Sequence, residues 1–213
     1  MTVPIVFRKT PEVNKQVDWI DFATGSALVQ FFPYNGNRSG AISFGLTTNA
    51  AMYSDTGYEE VTSTGMGLQL RNGARQTVTE GFTIEGDCIG WVALGCTETG
   101  GGSTNVRMNV SVHAIRGGVS TSYASVTTGN FTQGGNGTTS GVKAFNMTVP
   151  AVNLRPDDIL EIEYRLISTN TGTGTVGWAF DPIGRDPNAL GSSVFNSGAV
   201  GVSSIFLPIK GLV

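Results

Sequence analysis

The chain has 213 residues, with 13 Lys and Arg against 16 Asp and Glu, 30 Gly, 8 Pro, 2 Cys and one His. Charged residues make up only 14% of it, where about 25% is usual, and Gly, Thr, Ser and Asn take their place. A net charge of −3 gives no basic field for a phosphate backbone, which excludes a nucleic-acid partner recognised by charge. The length suits one large all-β domain, since sandwiches and barrels commonly reach roughly 200–250 residues as a unit.

The N-terminus, MTVPIVFRKTPEVNKQVDWIDF, lacks the apolar stretch and small-residue cleavage site of a signal peptide. No run approaches the ~18 apolar residues of a membrane span. The expectation is a protein made and kept without export, or released by lysis, and without a membrane partner. Residues 1–15, with Pro4, Pro11 and three Lys or Arg, read as an extended arm. Residues 16–213 read as one sandwich domain. Val3, Ile5 and Phe7 alternate within the arm, as strand addition to a neighbour requires.

Helical periodicity is nearly absent, and the rest of the chain alternates with period two. Val17–Phe22 alternates. Ala27–Tyr34 is a short apolar run closed by the turn signal Pro33-Tyr34-Asn35-Gly36. Glu59–Leu70 begins polar and ends with Met66, Leu68 and Leu70 on one face. Thr77–Thr97 holds two strand-length pieces around a Gly86-Asp87 kink. If Cys88 and Cys96 share one strand, they lie about 26 Å apart, beyond disulfide reach; a turn at Gly90 or Gly95 would bring them closer, and the default expectation is two half-buried thiols.

Asn105–Ile115 alternates most cleanly: Val106, Met108, Val110, Val112 and Ala114 face a core, while Asn105, Arg107, Asn109, Ser111 and His113 face water. Tyr123–Phe131 alternates weakly, and Lys143–Val149 is a strand stopped by Pro150. Arg155-Pro156-Asp157-Asp158 is a tight turn with Pro156 at its first central position. After it, Leu160, Ile162, Tyr164 and Leu166 point inward, and Glu161, Glu163 and Arg165 outward. Val176–Phe180 and Ser203–Ile209 complete the set. The loops Gly100–Thr104, Gly134–Gly141 and Asn170–Thr175 share a Gly/Thr bias and read as separate loop tips. Eight to ten strands on short spacing predict an all-β fold: a single antiparallel β-sandwich, jelly-roll-like.

Candidate chemistry is sparse. His113 lies on a polar strand face with no G-x-S-x-G elbow to supply a nucleophile. Glu161 and Glu163 sit on one face, ~6.5–7 Å apart by strand geometry, but acid/base pairs come from different elements, one in an apolar pocket. They read as a solvated face. Asp181, Asp186 and Asn188 offer oxygen ligands on one loop, in an order unlike the regular calcium loop, and otherwise read as turn starters. No cofactor and no structural zinc site is expected. Tyr53 and Tyr58 are the candidate binding aromatics for a glycan, while Trp91 and Trp178 fall in apolar strands and read as core. Five Asn-x-Ser/Thr sequons, at Asn37, Asn109, Asn130, Asn136 and Asn146, arise by chance in so hydroxyl-rich a chain.

The order of the segments VDWIDFATG, TVTEGFTIEGDCIGWVALG, VRMNVSVHAIRGG, FNMTVPAVNLRPDDILEIEYRL, VGWAFDPIGRDPN and SSIFLPIKGL resembles a group of small virion proteins of tailed bacteriophages from marine and environmental genomes. Arg155-Pro156-Asp157-Asp158 stands where Gly-Asp is commoner in that group. The resemblance implies a non-enzymatic β-sandwich on the particle exterior, a capsid decoration or minor head protein without catalytic residues. Its partners would be copies of itself, in a trimer, and the major capsid protein. A jelly-roll major capsid protein is the structural rival, which four Lys in the whole chain argue against. A carbohydrate- or receptor-binding module is the rival of another class.

Overall fold

In the computed structural model the described residues are 26–35, 44–48, 58–64, 69–180, 194–195 and 203–211. They form twelve strands and no helix: β1 (Ser26–Asn35), β2 (Phe44–Thr47), β3 (Tyr58–Thr64), β4 (Gln69–Thr77), β5 (Phe82–Glu98), β6 (Ser103–Arg116), β7 (Val119–Thr127), β8 (Phe131–Gly134), β9 (Gly137–Leu154), β10 (Ile159–Asn170), β11 (Thr173–Ala179) and β12 (Ser204–Gly211). The fold is all-β. The expected strand count of eight to ten is too low, and the expectation of purely antiparallel pairing needs one correction. β2 meets β4 in parallel, through Gly45 and Arg75.

The strands make two ladders. In the first, β9 lies along one edge of β5, while β12 and β11 share the other edge, β12 beside the first half and β11 beside the second. β1 continues outward from β12 and β3 from β11. In the second ladder the order is β1-β2-β4-β10-β6, with β7 and β8 dividing the far edge of β6. β1 belongs to both. Its residues Ser26–Phe31 pair with β12, and Phe32–Asn35 pair with β2. Consecutive side chains of a strand point to opposite faces, yet Phe31 and Phe32 are both buried. The change of partner between them gives each ring a covered side.

Inward positions from both ladders merge into one core. Val106, Met108, Val110 and Val112 of β6, Leu160, Ile162, Tyr164 and Leu166 of β10, and Val92, Leu94 and Cys96 of β5 belong to it, as the alternation of β6 and β10 predicts. Trp178 stacks on Tyr164 at 4.9 Å and touches Phe44 and Phe180. Its indole N–H donates to Ser203 Oγ at 2.9 Å, and that hydroxyl donates to the Ala179 carbonyl.

Three segments run longer than the sequence suggests. β5 is one strand of 17 residues, not two pieces, because Gly86 takes φ 121° and absorbs a bulge where the register with β9 shifts. β9 continues through Pro150, tolerated because only one edge of β9 is paired to a ladder. β1 likewise continues through Pro33 and Tyr34, where a turn was expected. Cys88 and Cys96 lie on the single strand β5 and are free. They are fully buried rather than half-buried, and burial raises both thiols to about 11.

The Arg155–Asp158 turn forms as expected, with the Asp158 N–H donating to the Arg155 carbonyl at 3.1 Å. Asp157 takes φ 72° at the second central position, the type II arrangement that favours glycine. Asp157→Gly removes a left-handed conformation costing an L-residue about 1 kcal/mol and is expected to raise the thermal midpoint by ~2–4 °C, which scanning calorimetry checks. The Tyr164 hydroxyl is buried without a hydrogen-bond partner among the described residues. Tyr164→Phe is therefore expected to leave stability unchanged or raise it by about 1 kcal/mol in urea unfolding.

Candidate functional site

The densest group of ionisable side chains lies on the outward face of β4, β10 and β6. Backbone register places Glu161 between Arg75 and His113, and Glu163 between Gly73 and Ser111. Arg71 donates to Glu163 Oε2 at 2.6 Å and Arg75 to Glu161 Oε2 at 2.9 Å. Both carboxylates point away from the core, as expected, but they are not a solvated face. Each side chain is only 8% exposed beneath guanidinia that are 69% and 58% exposed. Gly73 makes room for this, because a Cβ there would run into the Glu161 carboxylate.

His113 is the second correction on this face. Its side chain is 11% exposed rather than open to water. Nε2 lies 2.9 Å from Ser111 Oγ and 3.9 Å from Glu163 Oε2, while Nδ1 lies 3.4 Å from Ser120 Oγ on β7. The sequence already places Ser111 on the same polar strand face as His113, and the structure brings the two within hydrogen-bond reach. In a nucleophilic triad the two ring nitrogens divide the work, one facing the hydroxyl and the other the carboxylate. Here Ser111 and Glu163 share Nε2, and Ser111 is 4% exposed. The row works as a clamp across three strands.

A second cluster assembles at the far end of the strands. The three Gly/Thr-rich loop tips are one interlocked structure. Thr99 N–H donates to Thr173 O, Ser103 and Thr171 exchange hydrogen bonds, Gly135 N–H donates to Gly102 O, and Gly101 N–H donates to Asn136 Oδ1. At its centre Glu98 is fully buried. Its carboxylate accepts from Thr104 Oγ1 at 2.6 Å, Gly100 N–H at 2.7 Å and Thr173 N–H at 3.2 Å. Those bonds, the Thr104 hydroxyl first, hold Glu98 below the ordinary carboxylate range. Across the molecule Arg116 grips Asp158 through Nε and Nη2, and with the Arg155 N–H lowers it to about 2.

The outward face of the first ladder carries a group of exposed apolar side chains beside the polar pairs Glu85–Lys210 and Asp87–Thr148. Ile89, Val142 and Leu28 are 47%, 44% and 37% exposed. Trp91 and Phe206 are half-buried among them, with ring centroids 5.5 Å apart. One end of this face is covered, where Val194 and Phe195 pack on Ala93 and Ala179. Trp178 is core as expected, whereas Trp91 lies on this outer face. Tyr58 opens β3 and is not in a loop. Val3, Ile5, Phe7, Tyr53, Asp181, Asp186 and Asn188 lie outside the described residues. Among the described residues no three His, Cys, Asp or Glu side chains gather as metal ligands.

No family model matches the chain, and no curated protein does. Two solved structures that match are both a CocE/NonD family hydrolase from Staphylococcus aureus. The first aligns at 6% identity and TM-score 0.45 over 88% of this chain and 37% of that one. The second aligns at 6% identity and TM-score 0.37 over 84% and 41%. The chain thus spans about two fifths of the length of these structures. The expectation that the chain is not an enzyme is corrected on this finding and withdrawn, because the matched structures are hydrolases. At that identity and those scores the likeness transfers neither an activity nor residues to this chain.

The two lowered carboxylates set an acid limit. A group whose folded value is depressed adds stability above its unfolded value, near 4 for Asp and Glu, and loses it as pH falls toward the folded value. Unfolding midpoints are expected to be flat above about pH 5 and to fall below it. Glu98→Gln, which carries no such charge, is expected to lower the midpoint at pH 7 and flatten the slope between pH 5 and 3, as read by urea titration at each pH.

Proposed function

We propose that the chain is a structural virion protein that binds the exterior of a capsid, alongside copies of itself, and stabilises the shell. The observation that carries this reading is the group of apolar side chains Leu28, Ile89, Trp91, Val142 and Phe206, exposed or half-buried among the described residues on one strand face. Large apolar side chains left exposed together on one face mark an interaction site. A flat strand face suits a flat partner better than it suits a small molecule. Low charge supports the same reading, because the outward carboxylates Glu161 and Glu163 are already held by arginines of this chain.

The strand order adds support at the level of architecture. Setting aside β2, β3, β8 and β11, the ladders read β9-β5-β12-β1 and β4-β10-β6-β7. Numbered one to eight along the chain, that is 6-3-8-1 beside 2-7-4-5, the order of a jelly roll. Jelly rolls recur in capsid and lectin domains. Binding that favours the assembled shell raises its stability by mass action, without a chemical step. The arm with Val3, Ile5 and Phe7 would add a strand to a neighbour, and a homotrimer is the form of the assembly.

The test pairs native mass measurement with sedimentation of particles. A trimer in solution that pellets with intact particles at high copy number is the expected result, and deletion of residues 1–15 should lower its occupancy. Ile89→Asp and Val142→Asp, at exposed positions, should keep the circular dichroism of the folded chain while abolishing co-sedimentation. A monomer at micromolar concentration that stays in the supernatant would overturn the proposal.

A further inference from the structure

Along the same outward face as the Arg–Glu–His row, β6 and β10 continue past Glu163 to a shallow depression of about 100 Å³. It is lined by Asn105, Arg107, Asn130, Ile167 and Thr169. Backbone register explains the gathering: Arg107 stands opposite Ile167, and Asn105 opposite Thr169. Asn130 reaches the rim from the short connection between β7 and β8. That is well below the ~300–1,000 Å³ of enclosed small-molecule sites, so the depression cradles one edge of a ring and leaves the rest of a ligand outside.

The lining has a definite chemical bias. Arg107 is exposed and makes no hydrogen bond or ion pair with the described residues, unlike Arg71, Arg75 and Arg116. The Asn105 carbonyl oxygen is occupied by Thr132 Oγ1 at 2.6 Å, which leaves its amide N–H groups as the free part. Thr169 and Asn130 add an uncommitted hydroxyl and a second amide, and Ile167 supplies a half-buried apolar floor. Among the described residues no carboxylate lines the depression. The nearest acid along β10, Glu163, is already held by Arg71. The result is a guanidinium, amide donors and a hydroxyl around an apolar patch.

We infer that this depression binds a carboxylated sugar, the acidic residue of a glycan. A guanidinium meets a carboxylate through two parallel N–H bonds. Sugar hydroxyls both donate and accept, which suits amides and Thr169, and the ring's C–H face suits Ile167. A neutral sugar would leave the guanidinium unmatched, and a small anion would leave the amides and the floor unused. This site is separate from the apolar face of the first ladder, and its occupancy does not depend on assembly.

The experiment is a ¹⁵N-HSQC titration of the full chain with N-acetylneuraminic acid and with glucuronate, beside acetate, sulfate and glucose as separate arms. Either sugar acid is expected to shift the side-chain amides of Asn105 and Asn130 and the backbone amide of Thr169. The dissociation constant should be at least about tenfold lower than for acetate, sulfate or glucose. Arg107→Ala should weaken that binding at least about tenfold and Arg107→Lys less, with the rest of the spectrum unchanged, since the side chain is exposed. Equal binding of acetate or sulfate would reduce the site to a simple anion contact and overturn the inference. Equal binding of glucose, no shift with either acid, or shifts that persist in Arg107→Ala would overturn it as well.

Discussion

The change of partner within β1 is the constraint on which the two ladders depend. Between Phe31 and Phe32 the strand leaves β12 and takes up β2, so the ladders share one strand and their inner faces are held opposite each other. A sheet with one apolar face must cover it. With β1 hinging the pair, the alternating residues of β5 and β9 on one side and of β6 and β10 on the other reach a common core. Tyr164 and Trp178, one from each ladder, stack across it. The outward faces then differ because their residues do: arginine, glutamate and hydroxyls over β4, β10 and β6, and Ile89, Trp91, Val142 and Phe206 among polar pairs over β9, β5 and β12.

The inner faces were legible from sequence because burial on one side imposes period two. β6 and β10 alternate without interruption, and their inward residues are core in the order written. β4 was not legible. Its sequence QLRNGARQT has no apolar alternation, since Ala74 is its buried inward contact and its outward positions hold Arg71, Gly73 and Arg75. Missing β4 also hid the state of Glu161 and Glu163, whose cover comes from that strand. Gly86, Pro33 and Pro150 misled for a related reason. Each reads locally as a break, and each is absorbed by a bulge, a change of partner or an unpaired edge that only the tertiary arrangement supplies.

The Gly/Thr-rich tips show the same limit at longer range. Composition marks each as a loop, and that is right. What composition lacks is that the β5–β6, β8–β9 and β10–β11 connections emerge at one end of the molecule. There close backbone approach becomes possible only because the residues are glycines: a Cβ at Gly172 would collide with the Glu98 carboxylate. A buried carboxylate is costly unless its lone pairs are filled. Thr104, Gly100 and Thr173 fill those of Glu98, from two different connections. The bias that looks like low-complexity spacing is thus the material of a polar staple.

Charge economy links these features to the surface that remains. A chain with so few ionisable groups places several of them in intramolecular pairs: Arg71 with Glu163, Arg75 with Glu161, Arg116 with Asp158 and Lys210 with Glu85. Each pairing removes a charge that would otherwise repel or attract at a distance. Contacts with a partner are then governed by shape, apolar area and hydroxyl hydrogen bonds, which are short in range and demand close fit. Against so quiet a background Arg107, which has no partner among the described residues, would act as a local address on the face. It lies on the ladder opposite Ile89, Trp91 and Phe206, so the proposed recognition of a small acidic group and the proposed docking to a partner would use opposite sides of one domain.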